Sequence, residues 1–164
     1  MKYYGNHSLA DFLKIMLDIL LLIGIGMFIF ISKNALSSDA LQISTSRKVF
    51  ICSLFLIGSI SLILIVYNLR KIVKSLIIVN PFVRENVRSL RNISIECFTV
   101  ATCYLLNFFM NPKYGEFHLI AIDARGVHTD MEFFIFFFAG CFILILSKVF
   151  QQAVETKEEN DFTI

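Results

Sequence analysis

The chain has 164 residues, 57% of them hydrophobic and 17% charged, with 18 Phe and a formal charge of +2. Soluble domains run at roughly 45–50% apolar and about 25% charged, so an ordinary water-soluble globule is excluded. So small a net charge gives no reason to expect direct nucleic-acid binding.

Crossing roughly 30 Å of hydrocarbon takes about 20 mainly apolar residues in a helix, and four stretches meet that need. The first runs from Phe12 to Ile31, with Lys14 and Asp18 in its opening turns. A Lys ahead of an apolar core is also the order of a secretory signal, but the length and Asp18 favour a retained span. A loop from Ser32 to Lys48, rich in Ser, Thr and Asn, follows. The second span, Val49 to Leu69, carries no charge. Beyond it Leu69, Ile72, Val73, Leu76 and Ile77 keep an apolar stripe at helical spacing, so the helix is expected to protrude from the membrane. Asn80-Pro81 breaks it and is expected to start the next helix, with Asn80 as cap and Pro81 in the first turn.

The third span runs from Ile93 to Met110 with Glu96 near its start, and the fourth from Met131 to Phe150. Between them Asn111 to Glu132 reads as a loop with a turn at "NPKYG". Residues 70–92 form a basic helical hairpin and 151–164 an acidic tail. The fold class is therefore all-α: a polytopic membrane protein, a four-helix bundle with extensions of helices 2 and 3.

Lys and Arg fix the direction. Ten lie on the side that holds both chain ends and the 70–92 connection, and five on the other. Loops on the cytoplasmic side carry that excess, so both termini and the hairpin are expected to face the cytoplasm.

Arg84, Arg88 and Arg91 stand at i, i+4 and i+7, on one side of the third helix. Such a stripe either holds anionic head groups of the bilayer or docks a partner. A first candidate for closing on it is the tail, through Glu155, Glu158, Glu159 and Asp161. Within the membrane Lys14 is placed to pair with Asp18, and Glu96 to reach Arg91, Asn92 or Lys14. Asn68, Asn107, Ser59, Ser61, Thr99 and Thr102 are expected to bond between helices. Gly24, Gly26, Gly58 and Gly140 are expected to allow close approach.

Four cysteines, at 52, 97, 103 and 141, lie in apolar stretches without a CxxC pair and read as small buried residues. His118 and His128, among Glu116, Asp123, Asp130 and Glu132, match no metal-ligand spacing. No phosphate loop, GxSxG elbow or Cys/His nucleophile arrangement is present. Neither a catalytic residue, a cofactor nor a metal is expected.

Pro81-Phe82, Glu85-Asn86, Leu90-Arg91 and Ile93 resemble the "PF..EN...LR.I" segment of a bacterial family of small four-span membrane proteins, the domain-of-unknown-function family numbered twenty-nine seventy-five. Val149-Phe150 with Glu158, Glu159, Asn160, Asp161, Phe162, Thr163 and Ile164 resembles that family's ending. Gln151-Gln152-Ala153 departs from it, where members often carry a basic residue and Gly. The resemblance implies an inner-membrane protein without an established reaction, of a family often encoded beside a small helix-turn-helix regulator. It makes that regulator the expected partner, bound by the arginine stripe and by Glu158, Glu159, Asp161 and Phe162. Transport of a small solute, immunity to a membrane-active peptide, a place as accessory subunit, or assembly into a homo-oligomer are the alternatives.

Overall fold

A computed structural model of the chain describes residues 8–37, 45–78, 80–110, 121–123, 126–128 and 131–161. Its elements are α1 (Leu9–Ser37), α2 (Thr45–Ile77), α3 (Arg84–Met110), β1 (Ala121–Asp123), β2 (Gly126–His128) and α4 (Glu132–Asp161). All four helices are long and apolar enough to cross a membrane, and the chain is a multi-pass membrane protein. At 1.5 Å per residue, the 33 residues of α2 reach about 50 Å, well past the hydrocarbon, so the extension expected from its apolar stripe is present.

Helix ends are set by local bonds. The Ser8 carbonyl accepts from the Asp11 and Phe12 amides to open α1, and the Met131 carbonyl accepts from Ile135 to open α4. The expected start of α3 is corrected. Asn80, Pro81 and Phe82 lie outside it, and the helix opens on the Val83 carbonyl, which accepts from the amides of Asn86 and Val87. The cause is competition for the same groups: the Pro81 carbonyl accepts from Asn86 Nδ2 at 2.7 Å and Asn80 Oδ1 accepts from Lys157 Nζ at 3.1 Å.

Among the described residues the helices pack in chain order, α1 on α2, α2 on α3 and α3 on α4, without contact between other pairs. The bundle is therefore an open row. α3 is the least apolar of the four helices and the most buried. Its inward face, at Asn86, Ser89, Leu90, Ile93, Ser94, Cys97, Val100 and Ala101, follows the helical repeat with mostly small side chains. Small side chains let backbones approach where lipid provides no hydrophobic drive for helix association. Ser94 Oγ donates to the Gly140 carbonyl at 2.9 Å and Ser147 Oγ to the Val87 carbonyl at 3.1 Å, stitching α3 to α4. Outward faces stay apolar and open, as at Leu22 (71% exposed) and Phe142 (66%), which suits contact with lipid chains.

The expectation that the other polar residues of the spans bond across helices is overturned for three of them. Asn68, Thr99 and Thr102 donate to Leu64, Ile95 and Phe98 on their own helices, because the carbonyl one turn back is always within reach. Of the four glycines expected at close contacts, Gly140 is tightly covered, Gly58 just touches Cys103, and Gly24 and Gly26 face open space.

A small antiparallel hairpin joins α3 to α4, with Ala121 opposite His128, Ile122 opposite Val127 and Asp123 opposite Gly126. Strands of three residues are too short for a legible alternation, so the sequence showed only a loop.

Candidate functional site: a basic face clasped by the C-terminal helix

The turn between α2 and α3 is built around Asn86. Its side chain is buried, and Nδ2 donates to Ser75 Oγ at 2.6 Å as well as to the Pro81 carbonyl. Ser75 Oγ in turn donates to the Ile72 carbonyl, so a polar chain locks the end of α2 to the start of α3. Phe82 packs on Phe150 with ring centroids 5.7 Å apart, and Val154 is buried one turn further along α4. The C-terminal half of α4 is thereby anchored to the hairpin. The two segments that carry the family resemblance meet at this point, a relationship no spacing within either segment shows.

With Asn86, Leu90 and Ile93 facing inward, Arg84, Arg88 and Arg91 are exposed on the opposite side. Arg84 is engaged: Nε and Nη2 donate to the two carboxylate oxygens of Glu158 at 2.9 and 2.6 Å. This fork-on-fork geometry is the strong form of a charge-assisted bond. The hydrogen bond to Glu158 holds the Arg84 pKa above its ordinary value, and the same bond holds the Glu158 carboxyl below its usual range. Arg88 and Arg91 make no ion pair among the described residues. Glu159 sits exposed on the next position, Asp161 ends α4, and the side chain of Asp161 and all of Phe162 lie outside the described residues. At the divergent stretch after Phe150, Gln151 accepts from Lys148 and donates to Glu155, bridging an acid and a base along α4.

The intramembrane polar residues pair differently from expectation. Asp18 forms its ion pair with Arg70 of α2, and Lys14 has no ion-pair partner among the described residues. The packing of Ala10, Leu17 and Val73 against one another draws α1 onto α2 and delivers Asp18 to Arg70. Arg70 had been legible only as one of the orienting cations. Glu96 is half-buried and likewise without an ion pair. Lys14 cannot reach it. Asp18 is level with Arg70, Asn86 is bonded to Ser75 and Gly58 lies against Cys103. These contacts put Lys14 level with about Lys74 and Glu96 with about Ile65, roughly 13 Å apart along α2.

Toward the other end the row opens. Between α2 and α3 lies a trough of about 300 Å³, lined by Gly58, Ser59, Leu62, Val100, Cys103 and Asn107 among others. Phe28 of α1 stacks on Phe55 at one rim and Phe136 of α4 on Tyr104 at the other. Ser59 and Asn107 thus line a trough, where the sequence suggested interhelical bonds.

A family model matches residues 34–164, from the last turn of α1 to the end of the chain, and is described as "Protein of unknown function (DUF2975)". Comparison with curated proteins and with solved structures gives no match.

Proposed function

From the premise that the chain belongs to this DUF2975 family of unknown function, we propose that it is a regulatory or interaction protein without catalytic activity. It sits in the bacterial inner membrane, with both chain ends and the basic hairpin in the cytoplasm, and docks a cytoplasmic partner on the arginine face of α3. The observation that carries this reading is the exposure of Arg88 and Arg91 without an ion pair among the described residues, one and two turns from an Arg84 already held by a carboxylate. The excess of Lys and Arg on the hairpin side supports the orientation.

An acidic surface is the chemistry such a face takes, and Glu158 on Arg84 is an internal example of it. The expected partner is the small helix-turn-helix regulator that the family resemblance implies, sequestered at the membrane and so withdrawn from DNA. The Arg84–Glu158 pair is exposed, and exposed pairs are worth little individually. A docking partner can therefore displace the tail from Arg84.

The test is retention of the neighbouring regulator by the full-length protein in detergent. Retention that is lost when Arg88 and Arg91 are replaced by Glu supports the reading. No retention, or retention indifferent to those changes, overturns it. Reporter fusions at Arg88 and after Ile164 check the orientation, and an external position for either overturns it.

A further inference from the structure

Glu96 and the trough lie on one stripe. Glu96, Val100, Cys103 and Asn107 follow i, i+4, i+7 and i+11 along α3, so they share a face, and the last three line the trough. Glu96 stands on the same face one turn beyond that lining, toward the hairpin. Glu96 is half-buried, in the first turn of an apolar span, and has no ion-pair partner among the described residues. An ionisable group within a span usually has a partner, because leaving it unpaired in hydrocarbon is costly.

A second copy of this chain supplies none at the level of Glu96. Side by side in the same bilayer, it presents Ile65 on α2 and, from the Ser94–Gly140 bond, Phe138 on α4 at the level of Glu96. Its Arg70 and its Arg91 lie about 7 Å nearer the hairpin end and Lys14 about 13 Å nearer, and Arg70 is already engaged by Asp18. The rims of the trough are aromatic and its floor mainly apolar, so a helix side fits it and a hydrated polar surface does not.

We propose that the trough receives one transmembrane helix of a different membrane protein, apolar along the trough and carrying a single Lys or Arg at the level of Glu96. The cation neutralises the carboxylate, and apolar side chains from the following two turns fill the space between Gly58 and Asn107. The small polar groups of Ser59 and Asn107 add hydrogen bonds to that helix. This reading is independent of the arginine face.

The experiment uses the full-length protein in phosphatidylcholine vesicles. The probe is a synthetic Leu/Ala transmembrane peptide of about 22 residues with one Lys placed a turn inside each end, so that either orientation presents a cation. Association is read by energy transfer between labelled protein and labelled peptide. The Lys peptide is expected to bind roughly tenfold tighter than its all-apolar counterpart. Glu96→Gln abolishes that preference, Glu96→Lys transfers it to a peptide bearing Glu, and Ser59→Phe, which fills the trough, weakens every peptide. The charge-reversed pair keeps the proposal testable if Glu96→Gln fails to fold. Equal binding of the Lys and apolar peptides, or a preference that survives Glu96→Gln, overturns the proposal. So does Glu96-dependent energy transfer between copies of the protein, which assigns the trough to self-association.

Discussion

Glu158, near the end of α4, closes both carboxylate oxygens on the guanidinium of Arg84, the first residue of α3, 74 positions away in the chain. The contact ties the tail to the hairpin by charge, while Phe82 on Phe150 ties the same two elements by apolar packing.

The clasp has a defined pH dependence. The Glu158 carboxyl is held below its ordinary value of 4.5 by the bond to Arg84. A lowered carboxylate contributes stability that is fully present above its unfolded value and is lost as pH falls through the folded one. The Arg84–Glu158 contact is therefore kept at neutral pH and is lost only in acid, below the ordinary carboxylate range. Spin labels on the hairpin and α4 should report separation there, and at neutral pH in Glu158→Gln. High salt should shift the same signal toward the open form, since both groups are exposed to screening.

Gly140 and Gly24 should respond oppositely to a methyl group. A Cβ at Gly140 meets the Phe98 ring at 3.0–3.2 Å, whereas one at Gly24 meets nothing within 4 Å. Gly140→Ala is expected to destabilise by about 1–3 kcal/mol through overpacking, and Gly24→Ala to stay within roughly 0.5 kcal/mol of the parent or to gain slightly from helix propensity. Thermal unfolding in detergent distinguishes them, and Phe98→Leu should recover part of the Gly140→Ala loss.

Asn86 should matter more than any charged residue of the hairpin to its stability. Asn86→Ala leaves the Pro81 carbonyl and Ser75 Oγ without their donor and should cost about 1–3 kcal/mol. Asn86→Asp, similar in shape but unable to donate when ionised, should do no better. Arg88→Ala, at a position exposed and without an ion pair among the described residues, should leave the unfolding temperature unchanged. An Asn86→Ala protein as stable as the parent would mean that the Asn86 bonds do not lock the turn.

What the sequence alone determined is what adds up locally. Four apolar runs, the continuation of α2 through Ile77, and the arginine repeat at 84, 88 and 91 follow from composition and periodicity, since each residue's transfer cost or angular position depends on its own stretch of chain. The tertiary structure decided every choice among competing partners. Asp18 went to Arg70 instead of Lys14 because packing of Leu17 on Val73 set the register of α1 on α2. Thr99 and Thr102 turned back to their own helix because a carbonyl waits there whatever the neighbour is. Pro81 was kept out of α3 because Asn86 captured its carbonyl. Glu158 reached Arg84 because Phe150 and Val154 carried α4 past the hairpin. Such outcomes depend on distances between residues far apart in the chain, which no local pattern encodes.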